Sequence, residues 1–117
     1  QCVSSSNYTV TTIVGDGSYG YLDGLGTSAQ FTFVYGIIAD DSGNLYFADA
    51  NNHRIRKIDA TGNVTTIAGS GTAGYLDDLG TAAQFNEPRD LIIDDMGNIY
   101  VAYKLNHVIR KIDTSGM

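Results

Sequence analysis

Apolar and polar positions along this chain alternate in short runs separated by turns rich in Gly, Asp and Asn. Residues 8–14, YTVTTIV, alternate and are rich in β-branched side chains, the pattern of a half-buried strand. Residues 36–40, GIIAD, form an apolar run that suits an innermost strand buried against its neighbours. Residues 45–49 read as a second strand, 53–59 as a third and 64–68 as a fourth, outermost one. The turns at 41–44 and 60–63 each place a Gly where positive φ is needed. The same succession returns at 90–94, 99–103 and 107–113. Two long connections, 15–35 and 69–89, have equal length, so they are expected to be ordered. Within them, residues 27–31 and 81–85 (Thr-x-Ala-Gln-Phe) predict a capped helical turn whose Phe packs between sheets.

Sliding the chain against itself by 54 residues aligns 10–63 with 64–117 without a gap, and 31 of 54 positions are identical. A repeat of this period indicates a propeller or a solenoid. Its core, GNLYFADANNHRIRKID at 43–59 and GNIYVAYKLNHVIRKID at 97–113, resembles the NHL repeat, a β-propeller blade named for an Asn-His-Leu motif. The motif stands here as Asn52-His53-Arg54 and Asn106-His107-Val108. Residues 10–31 and 64–85 resemble the linkers between blades in secreted bacterial members. The resemblance implies an all-β fold of propeller blades, each of four antiparallel strands, and an extracellular or cell-surface location. A polar arm, residues 1–7, precedes a propeller segment at 8–117, with repeats at 10–63 and 64–117.

The strands are out of phase with the blades. Residues 8–14 read as the fourth strand of a blade whose other strands are absent upstream, while the second repeat stops after its third strand. A blade has two apolar faces and needs neighbours to cover them. The chain is therefore expected to assemble with itself head to tail. Tyr8, Val10, Thr12 and Val14 of one copy would pair beside His107, Ile109 and Lys111 of the next, removing a sheet edge. Three chains would supply six blades, within the roughly four to eight that propellers use, closing a ring; an unclosed rotation would give a fibre. The alternative is that these residues are a piece of a longer propeller protein.

Seven Lys and Arg against thirteen Asp and Glu give a net charge of -6 and a pI near 4.4, which opposes binding to a phosphate backbone. No nucleic-acid partner is expected, and no apolar run approaches the roughly 20 residues of a membrane-spanning helix. Cys2 has no second cysteine in the chain, leaving a free thiol or an intermolecular disulfide. Asn7 and Asn63 head Asn-x-Thr triplets that would accept a glycan in a secretory eukaryote.

Chemistry is sparse. His53 and His107 hold equivalent places in different blades, and each reads as a hydrogen-bonded blade histidine. The Asp-rich turns at 40–44 and 94–98 lack the ligand spacing of a calcium loop and read as turn chemistry. No nucleophile elbow, metal-ligand cluster or phosphate loop occurs, so neither cofactor nor metal site is expected and the chain reads as a non-enzyme; a propeller lyase or lactonase is the remoter alternative. The long loops should share one face with the short loops at 50–52 and 104–106. That face, with Tyr19, Tyr35, Asn51, Asn52, Tyr103 and Lys104, is the expected surface for a carbohydrate or protein ligand. Tyr21 and Tyr75, kept in both copies, read as packing residues. Tyr103 and Val108, where the second copy departs from Asp49 and Arg54, are expected to mark a contact specific to that blade.

Overall fold

The computed structural model of the chain describes residues 8–32, 34–74, 76–102 and 108–113. Within the long first linker lies a two-residue strand, β1 (Gly24–Leu25), followed by β2 (Val34–Ala39), β3 (Leu45–Asp49), β4 (Arg54–Ile58) and β5 (Asn63–Ala68). These form one sheet in the order β1-β5-β4-β3-β2, with every pairing antiparallel. The second repeat contributes β6 (Asp90–Ile93), β7 (Ile99–Ala102) and β8 (Ile109–Ile112), an antiparallel sheet in that order. Each sheet is one blade, and β2 of the first lies beside β6 of the second. Among the described residues no helix is long and apolar enough to cross a membrane.

The turns that join the strands are built by single carboxylates. Asp40 accepts the N–H groups of Ser42 and Asn44, the Asn44 amide and the Tyr46 hydroxyl, all at 2.9 Å. Asp94 repeats this with Met96, Asn98 and Tyr100. An Asp in these places fixes a tight turn by occupying backbone donors that the ladder leaves free.

Two apolar cores follow from the period of two along each strand. On β3, Tyr46 and Ala48 face the second blade, where Ile55 and Ala68 join Leu91, Ile99, Val101 and Phe85 in a cluster sealed between the sheets. Phe47 points the other way, into a cluster with Ala29, Ile58 and Val64 that Val14, Phe31 and Leu45 cover from outside. Phe31 meets Phe47 edge-on, with ring centroids 4.9 Å apart.

Several expectations change. Residues 8–13 join no strand, and Tyr8 and Val10 are 89% and 96% exposed. Alternation supplies propensity only, and a strand needs a partner edge to form. The innermost strand begins at Val34 and is not buried; Ile37 is 59% exposed. Among the described residues it has a neighbouring blade on one side only, through β6. The third strand starts at Arg54, because His53 adopts a left-handed conformation (φ 54°) that closes the 3-10 turn Ala50–Asn52. The helical turns sit one residue early, at Gly26–Ser28 and Gly80–Ala82, without a side-chain cap. Phe85 packs between the blades, whereas Phe31 packs on the far side of the first.

Candidate functional site

A buried arginine gathers each linker onto its blade. Arg56, in β4, is fully buried; its Nη1 donates to the Gln30 carbonyl (2.6 Å) and to Asp49 (3.0 Å), and its Nη2 to the Leu22 carbonyl and Asp23 (both 2.8 Å). The guanidinium lies over the rings of Tyr21 and Phe31, and its Nε has no partner. Asp49 in turn accepts the Thr32 N–H and the Asn52 amide. Tyr21 is pinned by Arg54 stacked 3.6 Å above it and by a hydroxyl contact with Thr66 at 2.7 Å.

Arg110 repeats the arrangement in β8. It donates to the carbonyls of Gln84 (2.6 Å) and Leu76 (2.7 Å) and, through Nη2 and Nε, to Asp77 (2.7 and 3.1 Å), with Phe85 beneath it. One difference is in sequence, since Tyr103 stands where the first copy has Asp49. The other is in surroundings. Thr66 of β5 lies 3.1 Å from Asp23, whereas no described strand lies beyond β8, and the Asp77 side chain is 83% exposed against 43% for Asp23.

Repeat-equivalent positions show where the molecule is open. Ile55 is sealed in the inter-blade cluster at 0% exposure, and its counterpart Ile109 is 72% exposed. Ile38 is half-buried against the same cluster, and its counterpart Ile92 is 67% exposed. On the opposite side, Leu91 is 5% exposed and Ile37 59%. Ile92, Ile109, Tyr100 and Ala102 line an apolar groove of about 450 Å³ on the second blade. The same residue types in the first blade, Ile38, Ile55, Tyr46 and Ala48, are what the second blade covers.

Of the expected assembly residues, Tyr8, Val10 and Thr12 are exposed, Val14 is half-buried against the outer core, and Ile109 and Lys111 stand on β8. On the expected binding face, the short loop does meet the long one: the Asn51 N–H donates to the Thr32 carbonyl at 3.3 Å. Tyr19 is 77% exposed, and Tyr35, at 40%, carries Arg89 over its ring at 4.4 Å. Asn51 is exposed, but Asn52 is spent on structure, its amide donating to the Gly20 carbonyl and Asp49 at 2.8 Å each. His53 accepts the Glu87 N–H on Nδ1 at 3.1 Å, so it is a hydrogen-bonded blade histidine that also ties the first blade to the second linker. Asn63 begins β5, half-buried, with its N–H on Asp59. Val108 is half-buried and packs against the inter-blade cluster. Cys2, Asn7, Tyr75, Tyr103, Lys104 and His107 lie outside the described residues. The arginine latch was missed in the sequence, although Arg56 and Arg110 recur at the same place in RKID of both copies.

Hydrogen bonds from the Asn44 and Asn98 side chains hold the Asp40 and Asp94 carboxyls well below the usual range, at about 2, and Ser18 and Gln30 do the same for Asp16. Burial and the Asp40 contact push the Tyr46 hydroxyl up to about 12. Among the described residues no group of three or more His, Cys, Asp or Glu side chains converges to hold a metal.

No family model matches the chain. Over 102 residues, 82% of this chain, it is 39% identical to NHL repeat-containing protein 2 of Bos taurus, covering 14% of that protein. Over 96 residues, 81% of this chain, it is 38% identical to Protein SUPPRESSOR OF QUENCHING 1, chloroplastic, of Arabidopsis thaliana, covering 9% of it. A solved structure of an auxiliary nutrient binding protein from Bacteroides ovatus superposes with a TM-score of 0.70 at 32% identity, over 80% of this chain and 26% of that one. The chain thus spans a small part of the proteins it matches. With two stacked antiparallel blades, a repeated Asn-His motif and this degree of identity, the chain belongs to the NHL-repeat family of β-propeller proteins.

Proposed function

We propose that this propeller module works by joining blades: it assembles with itself head to tail, each copy covering the next copy's open blade face and donating residues 8–14 to it. One observation carries the reading, namely that residues sealed between the two blades have exposed counterparts at both open ends, Ile109 and Ile92 on one and Ile37 on the other. Burying each such side chain is worth about 1.5–3 kcal/mol, and the covering surface that suits them is already displayed by the molecule itself. Three copies close a six-bladed ring, and a rotation that fails to close gives a fibre. Light scattering and electron microscopy at micromolar concentration test it. Particles at multiples of the 12.5 kDa chain mass are expected; a uniform species at 12.5 kDa overturns the reading.

A second reading is a ligand-binding module with no catalytic step, reading carbohydrate or protein on the long-loop face. The nutrient-binding designation of the Bacteroides ovatus relative favours it, as does the exposed ring of Tyr19. A glycan array tests it, with Tyr19→Ala expected to weaken any signal. We further propose that the chain is secreted or surface-borne, on its resemblance to secreted members, with Asn7 and Asn63 as glycan acceptors and Cys2 as an intermolecular bridge. A mass shift on enzymatic deglycosylation, and one on reduction, check the last two.

A further inference from the structure

The joint between the two blades carries a titratable group, and we infer that His53 is a pH-operated latch: neutral, it holds the entry to β6 on the first blade, and protonated, it lets that entry go. Among the described residues two that are not glycine have positive φ, His53 (54°) and Glu87 (49°). One hydrogen bond joins them, the Glu87 N–H donating to His53 Nδ1 at 3.1 Å. Such backbone conformations cost free energy and persist where surrounding contacts impose them. Glu87 is under a further constraint, because Pro88, fully buried, follows it and favours an extended backbone before it.

The acceptor makes the contact conditional. A neutral imidazole that accepts on Nδ1 carries its proton on Nε2; protonation puts an N–H on both nitrogens and leaves no acceptor. The Glu87 N–H then faces another N–H, and what held Glu87 in its left-handed conformation is gone. Histidine is the side chain whose charge ordinarily changes between pH 5 and 8, so the latch opens in mild acid, well above the range in which the Asp turns respond.

The charged groups on the elements that meet at His53 do not offset this loss. Asp49, at the end of β3, is buried and held by Arg56. Arg54, the next residue, stacks on Tyr21 and donates to the Ser70 carbonyl at 3.0 Å. Asp90, at the start of β6, is exposed. The Glu87 carboxylate is about half in water and lies 3.4 Å from Arg89, so its pull on an imidazolium is weak. Arg89 in turn lies over the Tyr35 ring, and its carbonyl closely approaches Gly36 of β2. Residues 87–89 are thus the path from His53 to β6, and release at Glu87 loosens the seam between the blades. The device belongs to this joint, since the first linker reads Phe33-Val34-Tyr35 at the equivalent place.

Amide hydrogen exchange of the full chain, compared between about pH 7.5 and about pH 5.5, tests the latch across the histidine range, with His53→Asn as the matched variant. Asn tolerates positive φ, and its Oδ1 stands where Nδ1 does and accepts without titrating. With each rate divided by the intrinsic rate at that pH, the Glu87 amide should lose about tenfold or more of its protection in the unsubstituted chain and stay within about twofold in His53→Asn, while the amides of β3 hold in both. The amide shift of Glu87 should also follow the His53 ring resonances through one midpoint, a readout that needs no variant to fold. Constant protection at Glu87 in the unsubstituted chain, an equal loss in His53→Asn, or separate midpoints would each overturn the latch.

Discussion

Arg56 and Arg110 are the same residue in two copies of one repeat, and they live differently. Each grips two linker carbonyls and a carboxylate, yet Arg56 also holds the fully buried Asp49 and has a fourth strand paired beside it, whereas Arg110 holds an Asp that is mostly in water. Ile55 and Ile109 differ in the same sense, 0% against 72% exposed. Identical residues are core in one blade and surface in the other, so burial here is conferred by the neighbouring blade. A blade of this type specifies its own strands and turns but not its own cover.

That contrast can be broken by paired substitutions. The largest effect is expected from Ile55→Asp, which puts a charge into the sealed cluster and should cost about 4 kcal/mol or more in urea unfolding. The matched Ile109→Asp should stay within about 0.5 kcal/mol in dilute solution and lose higher-mass species on light scattering. Next, Arg56→Ala leaves Asp49 buried and uncompensated, a loss of about 3–5 kcal/mol, part of which Asp49→Asn should restore. Arg110→Ala should cost only about 1–2 kcal/mol, the worth of two carbonyl hydrogen bonds beside an exposed ion pair. Equal losses for the two arginines would contradict the contrast.

Smaller still is the glycine of β2 that meets the start of β6. Gly36 has φ of 50°, and a Cβ there would sit 2.7 Å from the Arg89 carbonyl oxygen of the neighbouring blade. Gly36→Ala should therefore cost about 1–3 kcal/mol, while Asp90→Ala, at the equivalent but exposed position, should be near neutral. Smallest is the acid response of the two Asp turns, which are alike in both copies. Their carboxyls have folded pKa values depressed to about 2, below the roughly 3.9 of an unfolded Asp. The stability they contribute is thus present above about pH 4 and is lost as pH falls towards 2. Melting temperatures should drop across that window, and Asp40→Asn with Asp94→Asn should flatten the drop.

Strands and turns were legible because they are local: LYFAD, RIRKI and the Asp-Gly turns carry their own propensities and recur. The repeat identified the family and the stacking of blades. Less legible was whatever depends on the neighbour. Residues 8–13 alternate like a strand but join none, and in the apolar run at 36–40 Ile37 stays exposed while Ile38 is half-buried against the second blade. The hydrogen bonds by which Asn52 braces Gly20 and Asp49 depend on the linker folding back, which no local pattern shows. The arginine latch escaped because strand alternation assigns Arg56 a face but no partner, and only the linker folding back over it reveals a buried guanidinium.

Hydrogen exchange measured against protein concentration tests most directly whether the second blade lacks only what the first possesses. The amides of β4 should be protected at every concentration, and those of β8 should exchange quickly at nanomolar protein and slow by orders of magnitude as micromolar protein assembles. Exchange at β8 that stays fast at all concentrations, or is already slow in the most dilute sample, would contradict the account.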